Sequence, residues 1–246
     1  MTGDRLYICG LSVDWDEVAE DSYLRQIPAV AGIRRMEFGS PVTFLTGENG
    51  TGKSTLLEAM AIAAGFNAEG GTRNYSFSTY DSHSELSSHL TFSRGIRRPE
   101  WGYFLRAESF YNVATAEEEY GRQIGGVPQH LHERSHGESF LHIAQNYFRG
   151  NGLYFLDEPE AALSPQRQLT LLLTIAGCAG DGAQFFIATQ SPILTGLPGA
   201  EILSFDGGEI HKVSYEETDS YRITEMFINN RERLLRELLE ENGKEG

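Results

Sequence analysis

The stretch "GENGTGKST", Gly47 to Thr55, constrains this chain more than any other. It fits the pattern G-x-x-x-x-G-K-[ST]. It lies between a short apolar run, "PVTFL" (41–45), and a segment of helical spacing, "STLLEAMAIAAG", that stops at Gly65. A glycine loop set between a buried strand and a helix is a cradle for phosphate oxygens. The glycines let backbone amides curl around an anion, and the helix start adds a favourable dipole. The pattern assigns Gly47, Glu48, Asn49, Gly50, Thr51, Gly52, Lys53, Ser54 and Thr55 to a nucleotide-phosphate site. Lys53 is placed to reach β- and γ-phosphates, and the Ser54 hydroxyl to ligate Mg²⁺.

The second chemical signal is "LYFLDEPE", residues 153–160. An apolar strand that ends in Asp157 and Glu158 puts two carboxylates at the edge of a sheet where a phosphate loop also emerges. Asp157 suits a Mg²⁺ shell, and Glu158 suits polarisation of an attacking water. "LYFLD", "AQFFIAT" and "EILSFD" read as strands, and the helix "PQRQLTLLLTIAGC" falls among them. That alternation predicts an α/β fold with a mostly parallel sheet and helical crossovers. "HLTFSR" (89–94) and "WGYFLRA" (101–107) flank a turn holding Gly95 and Pro99, and read as a β-hairpin.

Midway along the chain, "SHGESF" (135–140) has the form of a capping box, Ser135 as N-cap and Glu138 three residues on. Gly137 stands in that first turn, where glycine costs helix stability. The run that follows places Phe140, Ile143, Ala144, Tyr147 and Phe148 along one helical face. The tail "ITEMFINNRERLLRELLEENGKEG" is amphipathic, and Leu234, Leu235, Leu238 and Leu239 are expected to dock its helix on the chain's own body, with docking on a partner as the alternative.

Composition sets outer limits. The 246 residues are 40% hydrophobic and 22% charged, ordinary for a globular chain of one large domain or two small ones. The formal net charge of -15 argues against strong direct binding of nucleic acid, which draws much of its affinity from basic patches. Basic residues gather only locally, at Arg34 and Arg35 and at Arg94, Arg97 and Arg98. Apolar runs fall short of the roughly 18 residues of a membrane span, so no membrane insertion is expected. The N-terminal segment lacks the pattern of a secretory signal. Cys9 and Cys178 give neither a disulfide framework nor metal-ligand spacing, and a reducing, cytoplasmic setting is expected. His130, His132, His136 and His142 cluster without accompanying cysteines, which disfavours zinc.

Taken in series, these motifs resemble an ABC-type ATPase head, and within that superfamily the SMC/RecF-like soluble AAA/ABC ATPases. "SHGES" (Ser135, His136, Gly137, Glu138, Ser139) resembles their signature motif. "DEPEAALSP" resembles their acidic strand end followed by a D-loop (Ala161, Ala162, Leu163, Ser164), and "FIATQSP" falls where they carry a switch histidine, here Gln190. The resemblance implies a P-loop fold with an N-terminal antiparallel β portion and a helical lobe bearing the signature. It implies ATP and Mg²⁺ as ligands, Ser54 and Asp157 on the metal, and Glu158, Lys53 and Gln190 as the catalytic set. It also implies a homodimer formed on ATP binding, each nucleotide lying between one copy's phosphate loop and the other's Ser135 and Gly137. An unidentified protein partner would receive the nucleotide state, in a setting such as DNA repair or phage defence. The short interval between Lys53 and Ser135 leaves no room for a long coiled-coil arm.

The expected organisation is one domain over 1–246, with a nucleotide-binding core from about 1–66 and 150–215, a β-hairpin and helical lobe at 67–149, and a C-terminal helix at 216–246. Two departures stand out. Gln190 donates a hydrogen bond but cannot become cationic as histidine does, so either hydrolysis is slow or Glu158 suffices. Where many ABC heads carry a metal- and water-contacting glutamine, this chain offers Glu108 or Ser109. Trp15 and Tyr23 are the aromatic candidates for stacking on adenine. The alternatives are the nucleotide-binding subunit of an ABC transporter, a small-molecule P-loop kinase and a poorly hydrolysing ATP-binding switch. The first lacks an LSGGQ-like signature here, and the kinase leaves Ser135–Ser139 and the D-loop unexplained.

Overall fold

The structure, a computed structural model, describes residues 6–72, 85–106 and 136–242. Its strands are β1 (Ile8–Val13), β2 (Arg35–Glu37), β3 (Val42–Thr46), β4 (Gly71–Thr72), β5 (Leu90–Arg94), β6 (Trp101–Arg106), β7 (Gly152–Asp157), β8 (Gln184–Ala188), β9 (Glu201–Ser204) and β10 (His211–Lys212). Its helices are α1 (Pro28–Ala31), α2 (Lys53–Ala63), α3 (Glu85–Ser88), α4 (His136–Tyr147), α5 (Pro165–Gly180) and α6 (Asp219–Asn242). The larger sheet has the order β10-β9-β3-β8-β7-β6-β4. Its interior strands, β9 through β6, run parallel, and β10 and β4 close the edges antiparallel. The mixed α/β fold with a mostly parallel sheet is the one the motif order predicts.

Strands covered on both faces read as continuous apolar runs, and every residue of β3, β7 and β8 is buried. Alternation along each strand then divides the core in two. Leu45, Phe155 and Phe186 face Leu56, Leu57 and Met60 of α2. Phe44, Tyr154 and Phe185 face Phe140 and Ile143 of α4 and Leu171 and Ile175 of α5. The β7–β8 register sets Tyr154 opposite Phe185 and Phe155 opposite Phe186, and these pairs stack at 4.7 and 5.5 Å, one on each face. The apolar face read over 140–148 is the buried face of α4.

A smaller antiparallel sheet, β2-β1-β5, supplies Ile8, Leu11 and Val13 to the α2 side of the core. One buried side chain joins the two sheets. Gln184, on β8, accepts from the N–H groups of Tyr7 and Ile8 at 2.9 and 3.0 Å and donates to the Ile8 carbonyl at 2.8 Å.

Two expectations are corrected. The segments at 89–94 and 101–107 do not form a hairpin: β5 pairs with β1, while β6 lies between β7 and β4 in the other sheet. Gly95 and Pro99 mark a change of direction, and a turn signal carries no information about partners. Burial decides between them, because β6 is buried at Tyr103, Phe104 and Leu105, whereas β5 is largely exposed beyond Leu90. Among the described residues, the C-terminal leucines also do not pack into the buried core. From Arg222 to Glu240 every side chain of α6 is exposed except the half-buried Leu234. Ile223, Ile228, Leu238 and Leu239 are 61%, 70%, 48% and 69% exposed. The helix is broken at Asn230 (φ −130°, ψ 24°). Amphipathic spacing defines an apolar face and says nothing about what covers it.

Candidate functional site

The phosphate loop links β3 to α2. Gly47, Gly50 and Gly52 hold φ of 134°, 82° and 99°, the left-handed region that side chains avoid. At Gly52 space is lacking as well, since a Cβ there would lie 2.6 Å from Val30 and 2.7 Å from Ile27. The first turn of α2 is therefore seated directly on α1 and the residue before it.

Lys53 opens α2 and folds its side chain back into the loop. The buried ammonium donates to the Gly47 carbonyl at 2.7 Å and the Glu48 carbonyl at 2.6 Å. Burial pushes its pKa below the usual lysine value, and the carboxylates of Glu158, Asp206, Asp157 and Glu160 oppose that shift. Next in sequence, the Ser54 hydroxyl donates to Asp157 Oδ1 at 2.8 Å. Asp157 ends β7 and is itself buried.

Glu158 follows with φ 47° and ψ 50°, a left-handed conformation uncommon outside glycine, and its N–H is held by the Ala188 carbonyl at 2.9 Å. A 3-10 turn, Pro159–Ala162, leads through the buried Leu163 to Ser164, whose hydroxyl accepts from the Arg167 N–H as N-cap of α5. The expected D-loop residues thus form the connection between β7 and α5.

Gln190 stands just beyond β8. Its amide nitrogen donates to Asn49 Oδ1 at 2.5 Å, and its backbone N–H donates to Glu160 Oε1 at 2.7 Å. The ends of β3, β7 and β8, adjacent in the sheet, bring Gly47–Thr55, Asp157, Glu158 and Gln190 to one edge. A cavity of about 170 Å³ opens beside them, lined by Thr46, Gly47, Glu48, Gln190, Asp206 and the first turn of α6.

Sequence reasoning missed two carboxylates. Asp206 Oδ1 accepts the Glu48 N–H at 2.9 Å, so a residue after β9 shapes the start of the loop. Its signal was an acidic residue at the end of the predicted strand "EILSFD", the same cue that singled out Asp157. Glu160 sits within the 3-10 turn and reads in sequence as one more acid of "DEPE". Burial pushes its carboxyl pKa up, opposed by the Gln190 N–H.

Other expectations fall elsewhere. Ser135, Glu108 and Ser109 lie outside the described residues, as do His130 and His132. His136, Gly137, Glu138 and Ser139 form the first turn of α4. That helix packs on the opposite face of the sheet from α2, against α5 and the Pro159–Ala162 turn. Trp15 is a core residue, with its indole N–H on the Ile33 carbonyl at 2.6 Å and Arg25 and Arg34 over its ring. Tyr23 is exposed.

Residues 27–119 match the AAA domain family. The matched segment contains the whole phosphate loop. No curated protein matches the chain. Among solved structures, the SMC head domain from Thermotoga maritima is similar at 14% identity and a TM-score of 0.45, over 85% of this chain and 99% of that one. A chain from a metal-chelate type ABC transporter, described as inward-facing, is similar at 15% identity and a TM-score of 0.40, over 75% of this chain and 76% of that one. None of the described helices is long and apolar enough to cross a membrane.

Proposed function

We propose that this chain binds and hydrolyses ATP with Mg²⁺, that two copies pair around the nucleotide, and that the nucleotide state is passed to a protein partner in the cytoplasm. The observation that carries the reading is the junction of α2 and β7. A glycine loop closes around the Lys53 ammonium, and the next residue hydrogen-bonds the carboxylate that ends the neighbouring strand. Those groups fit a phosphate chain and a hard divalent cation. Mg²⁺ is commonly held by one or two protein oxygens, with substrate phosphates and water completing its shell. Ser54 and Asp157 would hold it, and the metal would neutralise charge on the phosphate oxygens.

The remaining roles belong to the chain itself. Lys53 exchanges its two carbonyl partners for phosphate oxygens, and the surrounding carboxylates oppose the lowering of its pKa by burial. Glu158 polarises the attacking water, on a backbone fixed by the Ala188 carbonyl. Gln190, held at the mouth of the loop on Asn49, donates to the terminal phosphate. The placement of α4 and α2 on opposite faces supports the trans arrangement, in which Ser135, Gly137 and the rest of the signature turn serve the nucleotide of a second copy.

The test uses Glu158→Gln, which retains shape and removes the base. With ATP and Mg²⁺ its mass by light scattering should double, and it should fall back to that of one chain with ADP. A persistent monomer sinks the pairing model. A second reading, a switch with negligible hydrolysis, is favoured by one observation, the amide of Gln190 in place of an ionisable ring.

A further inference from the structure

The Pro159–Ala162 turn and the loop after β8 are 30 residues apart at their point of contact, and a single carboxylate ties them together. We infer that Glu160 is a positioning residue that sets Gln190 to read the terminal phosphate of a nucleoside triphosphate, an inference that rests on the ATP-binding reading above. Glu160 Oε1 accepts the Gln190 backbone N–H at 2.7 Å, and the side chain of that same glutamine reaches Asn49 of the phosphate loop at 2.5 Å. Fixing the backbone at residue 190 therefore fixes where its amide points. The other end of the strut is rigid too. The Ala161 N–H bonds the Glu158 carbonyl at 3.0 Å and the Leu163 N–H bonds the Glu160 carbonyl at 2.9 Å, so Glu160 belongs to the turn that Glu158 starts. The residue proposed to polarise water and the residue proposed to sense phosphate thus share one support.

A plain structural role explains this carboxylate poorly. Glu160 Oε2 is buried with no hydrogen-bond partner among the described residues. Burial disfavours the ionised form, and the Gln190 N–H favours it. A neutral side chain would brace two loops at lower cost. A buried acid that accepts the backbone N–H of a phosphate-facing residue is an arrangement found at functional sites.

The test is a double-mutant cycle read in nucleotide affinity, measured by calorimetry with MgATP and MgADP on the full chain. Wild type should prefer ATP over ADP by about tenfold, the value of roughly one charge-assisted hydrogen bond. Gln190→Ala should lose that preference. Glu160→Ala should lose the same preference while ADP affinity stays unchanged, and the double variant should lose no more than either single one. Glu160→Gln, whose amide oxygen still accepts the N–H, should retain most of it. Should Glu160→Ala fail to fold, Glu160→Asp runs the same cycle, since its shorter carboxylate withdraws from Gln190 and keeps the charge.

An ATP preference that survives in Glu160→Ala, an equal loss of ADP affinity, or losses that add in the double variant overturns the inference. So does a wild type that binds both nucleotides equally. A wild type that binds neither overturns the ATP-binding reading itself, and the inference falls with it.

Discussion

Ser54 and Asp157, 103 residues apart in sequence, meet through a 2.8 Å hydrogen bond from the serine hydroxyl to Oδ1 of the aspartate. The contact spans β3, β8 and β7, and it exists because β8 lies between the strand before the loop and the strand that ends in the acid. Asp157→Asn keeps an oxygen for Ser54 and removes the charge a divalent cation needs. Metal charge stabilisation is worth several kcal/mol, so Mg²⁺-dependent turnover should fall by about 10²-fold or more. The melting temperature should not fall, because the variant removes a buried charge. A phosphate-release assay with paired thermal melts checks both halves.

Two glycines of the same loop separate backbone strain from lack of space. Gly50 has φ 82° with open space at its Cβ position, and Gly52 has φ 99° with Val30 and Ile27 inside contact distance. Gly50→Ala should cost only the left-handed penalty, about 1–2 kcal/mol. Gly52→Ala should exceed it by at least ~1 kcal/mol, because α2 must move off α1 as well. Urea unfolding of both variants gives the comparison, and equal costs would contradict the packing described for Gly52.

Glu160 also fixes a pH signature. Its carboxyl pKa is raised in the fold, mainly by burial. The unfolded chain therefore releases this proton at lower pH than the folded chain does. Its contribution to stability is greatest below the unfolded carboxylate value, about 4.3, and is lost as pH rises through the higher folded value. Glu160→Gln removes that titration. Its stability should exceed wild type's increasingly as pH rises from about 4 towards neutrality, with the gap levelling off once wild-type Glu160 is ionised. Denaturant midpoints measured at several pH values check the sign.

The phosphate loop was legible in sequence because its chemistry is local: glycines, a lysine and a hydroxyl at fixed spacing. Asp157 was legible for a related reason, an acid at the end of an unmistakably apolar strand. What sequence could not supply was pairing. β5 and β6 stand side by side in the chain and in different sheets in space, because the apolar side chains of β6 are buried in the larger sheet while β5 is largely exposed and pairs with β1. Asp206 and Glu160 were hidden because an acid acquires its role from what folding brings to it. Those partners were the Glu48 amide for one and the Gln190 amide for the other. The leucines of α6 show the converse, a clear periodicity on a helix whose side chains stay largely exposed among the described residues.

Gln190→His decides how far the proposed reaction goes. The substitution leaves the backbone N–H, and hence the bond to Glu160, in place, and it replaces an amide with a ring whose ordinary pKa is about 6.5. An imidazolium donates to phosphate with a full charge, and charged hydrogen bonds are worth about 1.5–3 kcal/mol against roughly 1 for neutral ones. Turnover should rise by about three- to thirtyfold at pH 6 and by less at pH 8, where the ring is neutral. Wild type should show slow but measurable phosphate release that is flat across the same range at position 190, since an amide does not titrate. Release in neither protein, with ATP binding intact in both, would assign the chain to the non-hydrolysing switches. A rise that ignores pH would mean that shape at residue 190, and not charge, limits the rate.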